Sequence, residues 1–113
     1  NQLWKIDKTL FLTWMDIIRR TSEYRTSLWL PLFPDVAKPQ LMRIARSILA
    51  ENATTRIVWT NLFDEKEHLQ VKGLAAMQLD TFLYCGHTSG ADVLWAGVPT
   101  VTLPGIMQSA RVG

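Results

Sequence analysis

The segment Leu79 to Gly105, LDTFLYCGHTSGADVLWAGVPTVTLPG, holds most of the candidate chemistry of this chain. In it Gly86-His87-Thr88-Ser89-Gly90 follows a strand-like stretch and runs at once into a short apolar helix. That order gathers free backbone N–H groups, two hydroxyls and an imidazole at a helix N-terminus, where the dipole favours an anion. Gly86 and Gly90 lack side chains, so an anion can approach the backbone closely. The turn reads as a phosphate seat in an α/β domain. The competing reading makes Thr88 and Ser89 ordinary helix caps. The spacing fits neither the Rossmann dinucleotide fingerprint nor the P-loop.

Other residues could serve the same ligand. Asp92 is expected in the first turn of the helix after Gly90, either as a carboxylate stabilised by the dipole or as an acceptor for sugar hydroxyls. His68 follows Glu65, Lys66 and Glu67 near a helix start. Such a run is commonly a solvated charged turn. In the sharper reading the imidazole offers a flat face to a base, with Lys66 near phosphate or ribose. Gln2 and Lys5 stand just before the first helix, where Lys5 is either a solvated charge or a cation neutralising a pyrophosphate. Cys85 reads as a small buried hydrophobe rather than a reactive thiol. Neither histidine has a partner at metal-binding spacing, so no metal site is expected.

Composition limits the classes available. With 113 residues, 48% of them apolar and 19% charged, the chain makes at most one ordinary domain with a buried core. Its net charge of +2 is scattered, so a dedicated nucleic-acid surface is not expected. The single cysteine, Cys85, excludes an internal disulfide and a thiolate zinc cluster. No apolar run approaches the ~20 residues of a membrane span, and no signal-peptide pattern opens the chain. Both ends look cut: the chain opens without Met, and Ser109-Ala110-Arg111-Val112-Gly113 resembles a helix just beginning. A piece of a longer protein, incomplete at both ends, is expected.

Helices and strands alternate. After Asp7, a plausible N-cap, Leu10, Phe11, Trp14, Ile17 and Ile18 fall on one helical face. Thr26 to Phe33 reads as a buried strand, with Pro31 at its edge or end. Pro34 and Pro39 bracket a turn. Leu41, Ile44, Ala45, Ile48 and Leu49 then make the clearest amphipathic helix. A short strand over Arg56–Thr60, a loop over Asn61–Asp64 and a helix opening at Glu65 follow. Met77–Asp80 is a weaker strand, Ala91–Ala96 a helix closed by Gly97 as a left-handed C′ residue, and Thr100–Leu103 a last strand. Such an order implies crossovers and a mostly parallel sheet.

Taken together, the residues resemble the catalytic region of the O-linked N-acetylglucosamine transferases, which glycosylate protein Ser and Thr. The likeness is carried by Asn1-Gln2-Leu3-Trp4-Lys5-Ile6-Asp7, Leu28-Trp29-Leu30 with Phe33-Pro34, Glu67-His68-Leu69 and Leu79-Asp80-Thr81. Gly86-His87-Thr88-Ser89-Gly90, Asp92-Val93-Leu94-Trp95-Ala96-Gly97, Pro99, Val101-Thr102, Pro104-Gly105 and Ala110-Arg111-Val112 complete it. The resemblance implies a GT-B architecture of two Rossmann-like lobes, with residues 1–113 as most of the C-terminal lobe that holds UDP-N-acetylglucosamine. It implies that Gln2 and Lys5 contact the diphosphate, Lys5 also stabilising the charge on leaving UDP. His87, Thr88 and Ser89 would hold the phosphates and the near side of the sugar, Asp92 the ribose, and His68 the uracil. An inverting transfer without a bound metal or other cofactor is implied. So are protein acceptors, an N-terminal catalytic lobe, preceding tetratricopeptide repeats, and a nuclear and cytoplasmic location.

Some positions depart from the family pattern. Glu65 stands where a Lys is usual, with Lys66 one residue later. Val71 replaces an Arg, with Lys72 beside it. Ser89 replaces Thr and keeps the hydroxyl, and Tyr84-Cys85 replaces a Cys-Asn pair. Two alternatives accompany the main reading: a related O-fucosyltransferase, and a non-catalytic nucleotide- or partner-binding module.

Overall fold

The computed structural model describes residues 2–112, and at position 65 the backbone alone. Asn1 and the Glu65 side chain, which carry part of the resemblance and its departures, lie outside the described residues, as does Gly113. The chain divides into two compact units, Asn1–Leu62 and Phe63–Gly113.

In the first unit a 3-10 turn at Leu3–Lys5 precedes helix α1 (Lys8–Arg20). Asp7 caps α1, its carboxylate accepting from the Leu10 N–H at 2.7 Å. The apolar stripe buries Leu10, Phe11, Trp14, Met15 and Ile18, each burial worth about 1.5–3 kcal/mol. Ile17, expected on this face, is only half-buried, and Met15 takes the deeper place. Strand β1 covers only Leu28–Pro31. Pro31 ends it, where a missing N–H does least harm. Helix α2 (Lys38–Leu49) carries Pro39 in its first turn, where no intrahelical donor is needed, and buries Leu41, Ala45 and Leu49. Helix α2 packs on α1 and on the short helix α3 (Ala53–Arg56), which leads into β2 (Ile57–Thr60). Strands β1 and β2 run parallel with Leu28 opposite Ile57 and Pro31 opposite Thr60.

Arg56, expected to open a strand, instead ends α3. Its guanidinium donates to the carbonyls of Ile18 (3.2 Å), Thr21 (3.4 Å) and Thr26. It thus satisfies carbonyls at the end of α1, where the helix dipole also favours a cation.

The second unit begins with α4 (Glu65–Lys72), capped by Asp64, whose carboxylate accepts from the N–H groups of Lys66 and Glu67. Strands β3 (Gln78–Leu79) and β4 (Thr100–Val101) pair in parallel, and α5 (Thr88–Trp95) connects them. Helix α5 packs on α4 and on β4. Gly97 adopts φ +78, the left-handed conformation expected of a C′ glycine. The expected strand Thr100–Leu103 stops at Val101, where its partner β3 ends at Leu79, and the Thr102 hydroxyl donates to the Asp80 carboxylate. The α/β class with parallel strands and helical crossovers holds in both units.

Candidate functional site

The Gly86–Gly90 turn lies beyond the carboxyl end of β3, where loops of parallel α/β units meet helix N-termini. Asp80, the first residue past β3, anchors it. Only 6% exposed, its carboxylate accepts from the N–H groups of Gly86 (2.8 Å) and Thr81 (2.9 Å) and from the Thr102 hydroxyl (3.0 Å). Burial pushes the Asp80 carboxyl up, but bonds from Gly86, Thr81, Cys85 and Thr102 outweigh it and hold the group below the usual carboxylate range. The Thr81 hydroxyl donates to the Tyr84 carbonyl. A Cβ on Gly86 would stand 3.0 Å from the Ser89 hydroxyl and 3.2 Å from the Gly90 nitrogen, so a larger residue there requires the turn to give by a few tenths of an ångström.

His87 is the residue that precedes α5. Its ring stacks on Tyr84 with centroids 4.6 Å apart and planes 14° from parallel. Its Nε2 is buried and has no hydrogen-bond partner among the described residues. Helix α5 opens at Thr88 rather than Ala91, and no side chain caps it. Thr88 and Ser89 therefore sit inside the first turn with exposed side chains instead of capping it. The N–H groups of Gly90 and Ala91 both bond the His87 carbonyl, each at 3.1 Å.

The earlier helix start moves Asp92. It was expected in the first turn, but α5 has no acidic residue there; Asp92 lies one turn further along, where the dipole has faded. Two side chains of α4 hold it instead. His68 Nε2 and Lys72 Nζ each stand 3.0 Å from Asp92 Oδ2, and Lys72 also reaches the Ser89 carbonyl at 3.4 Å. The Lys72 bond, opposed by burial and joined by His68, keeps the Asp92 carboxyl below its ordinary value. His68 is thus half-buried in an inter-helix contact, not a freely solvated first-turn residue.

Lys72 is the residue that sequence reasoning passed over as a site group. The signal was present: His68 and Lys72 are four apart, so they share one face of α4. Lys66, the cation selected in advance, has an exposed side chain and gives its backbone N–H to Asp64. Asp80 is also not legible as a functional group along the chain, because two of its three donors, Gly86 and Thr102, lie 6 and 22 residues away. Among the described residues no three His, Cys, Asp or Glu side chains cluster as metal ligands do.

In the first unit, Gln2 forms a parallel bridge with Phe33, and the Leu3 N–H bonds the Phe33 carbonyl at 3.0 Å. Gln2 and Lys5 are thereby tied to the carboxyl end of β1. The Lys5 ammonium stands 5.5 Å from the centre of the Trp4 ring. A shallow cavity of about 240 Å³ opens at this same end of the strands, lined by Leu32, Asp35, Lys38, Trp59, Thr60 and Asn61. Of the expected site residues, Gln2 and Lys5 belong to this unit. Lys66, His68, His87, Thr88, Ser89 and Asp92 belong to the other, where His68 and Asp92 are in direct contact.

Parallel strands, helical crossovers and a glycine-bounded turn opening a helix at the strands' carboxyl edge define a Rossmann-like α/β protein. The chain belongs to glycosyl transferase family 41, whose profile matches residues 1–113. It is 39% identical over 113 residues to a probable UDP-N-acetylglucosamine–peptide N-acetylglucosaminyltransferase of Arabidopsis thaliana, covering 99% of this chain and 11% of the relative. To the corresponding enzyme of Caenorhabditis elegans it is 36% identical over 114 residues, covering 99% of this chain and 9% of that one. The solved structure of a Thermobaculum terrenum O-GlcNAc transferase mutant superposes with a TM-score of 0.81 at 27% identity, covering 96% of this chain and 21% of that one. The chain spans about a tenth of the length of these curated relatives.

Proposed function

We propose that this chain is the UDP-N-acetylglucosamine-binding part of a protein O-GlcNAc transferase, one that moves the sugar to Ser or Thr hydroxyls with inversion. The observation that carries the reading is the turn at Gly86–Gly90. It leaves α5 without a side-chain cap, and beside it the buried His87 Nε2 has no hydrogen-bond partner among the described residues. Family membership and relatives named for the same transfer support it.

In the proposed reaction the acceptor oxygen bonds to the anomeric carbon as the bond from that carbon to the β-phosphate oxygen breaks. Negative charge collects on the departing UDP. Gln2 and Lys5 bind the diphosphate, and the Lys5 ammonium stabilises that charge. His87, Thr88 and Ser89 hold the phosphates and the near side of the sugar. Asp92, oriented by Lys72, accepts from the ribose hydroxyls, and His68 packs on the uracil. Lys66 contacts ribose or phosphate. The donor is a substrate, and neither a metal nor a cofactor is assigned. An N-terminal catalytic lobe and tetratricopeptide repeats in the same protein, and a nuclear and cytoplasmic location, belong to this reading.

Lys5→Ala in the whole protein should lower transfer of radiolabelled sugar by roughly 10²–10³-fold while leaving thermal unfolding unchanged. Undiminished transfer would sink the role of Lys5. Calorimetry with UDP-N-acetylglucosamine and GDP-fucose tests the donor itself, and tighter binding of GDP-fucose would replace this reading with the fucosyl alternative.

A further inference from the structure

We propose that Tyr84 is a positioning residue for His87, its ring fixing the imidazole so that Nε2 is aimed before any ligand arrives. The proposal rests on the donor-binding reading above and deepens it.

The backbone around Tyr84 is held at three successive points. Its carbonyl accepts from the Thr81 hydroxyl, the next N–H, of Cys85, bonds the Ser109 carbonyl at 2.9 Å, and the following one, of Gly86, bonds Asp80 at 2.8 Å. The ring is therefore placed by the fold. His87, two residues past Cys85, lies nearly parallel on that ring at 4.6 Å. Its Nε2 has no hydrogen bond to hold it among the described residues. An imidazole without such a tether depends on packing to hold its side-chain torsions, and ordering it on binding would otherwise cost affinity. A face-to-face aromatic neighbour removes that freedom in advance. The family resemblance has a cysteine at this place, which offers no such face, so the device belongs to this chain's own sequence.

The test measures UDP binding by calorimetry and sugar transfer by steady-state kinetics in the whole protein. Tyr84→Ala should weaken UDP binding by roughly three- to tenfold, raising KM more than it lowers kcat. Tyr84→Phe, which keeps the ring, should restore binding to within about twofold. In a His87→Ala background, Tyr84→Ala should have no further effect, because the two residues act as one unit. Equal losses in both backgrounds, or a Phe variant as poor as the Ala variant, would overturn the proposal. Should the alanine variant lose its fold, Tyr84→Leu takes its place with the same expectations.

If the unaltered protein binds no UDP, the donor reading alone falls, and nuclear magnetic resonance decides the positioning. In ¹³C-histidine-labelled protein the His87 ring-proton signal, assigned by its loss in His87→Asn, should move downfield in Tyr84→Ala and stay put in Tyr84→Phe. A signal unmoved in Tyr84→Ala overturns the positioning.

Discussion

The two units of this chain solve the folding problem with different materials. The first buries large apolar side chains, with Phe11, Leu10, Met15 and Leu30 among the most enclosed in the chain. Its two long helices have 13 and 12 residues, and its strands pair over four residues each. The second has strands of two residues and a smaller interior in which Asp80 and Thr81 are buried beside Cys85, Val93, Val98 and Ala110. It leaves Ile106, Trp95 and Leu74 more than four-fifths exposed. The first unit is held by non-directional burial, and the second by a buried carboxylate that collects directed hydrogen bonds. Directed bonds fix the position of a turn where apolar packing would tolerate slippage, and the second unit is where most of the proposed ligand contacts lie.

That contrast predicts the sizes of several effects. Phe11→Ala should be the most damaging, costing about 3–5 kcal/mol through a cavity in the first unit. Denaturant unfolding followed by the fluorescence of buried Trp14 measures it, and a loss below about 1 kcal/mol would break the contrast from the apolar side. Asp80→Ala should cost about 3 kcal/mol, since it strands the N–H groups of Gly86 and Thr81. The signature is faster hydrogen exchange at the Gly86 amide, with the first unit unaffected.

Acid supplies the next test. The folded-state pKa of Asp80 lies below its unfolded value, so its contribution is complete above about pH 4 and is lost as pH falls through the lower, folded value. Asp80→Asn keeps an acceptor but removes the titration. Protection of the Gly86 amide, measured relative to its intrinsic exchange rate at each pH, should lose its acid dependence in this variant, and retention of that dependence would assign it to another group.

Lys72→Met should have a smaller effect. Removing the Lys72 hydrogen bond, the largest cause of the Asp92 shift, lets that carboxyl rise toward its ordinary value, seen by carbon-detected titration. The stability change should stay under about 1 kcal/mol because the pair is partly solvated. Smallest of all is Asp16→Ala. Asp16 bridges Arg19 and Arg20 at 2.6 Å each on the exposed face of α1, yet thermal unfolding should not shift measurably. A large shift there would show that the first unit depends on directed pairs after all.

Much of the first unit was legible along the chain. The 3.6-residue recurrence from Leu10 to Ile18 and from Leu41 to Leu49 marks α1 and α2, because burying one face of a helix leaves that imprint locally. Asp7 as a cap and Gly97 as a left-handed C′ residue were legible for the same reason: both act within a turn of their own position. The glycine-bounded turn is legible as a feature, though the local pattern marks its helix only from Ala91, three residues past the start at Thr88. That later start puts Asp92 in the first turn and hides its pairing with α4. Strand ends were overextended at Thr26, Phe33 and Leu103, since a ladder stops where its partner stops, and the partner lies elsewhere in the chain.

By itself, the sequence determined the periodic helices, the parallel α/β order, the glycine-bounded turn and the family. Each of these is written in neighbouring residues or in a contiguous pattern. Only the tertiary structure decided that Asp80 ties Gly86 to Thr102, that Lys72 rather than Lys66 reaches Asp92, and that Tyr84 lies under His87. The first two depend on groups separated by 6 to 22 residues meeting at one carboxylate. The third depends on a loop whose course is set by bonds to Asp80 and Ser109. Distances of a few ångströms between such groups follow from packing, and no local spacing encodes them.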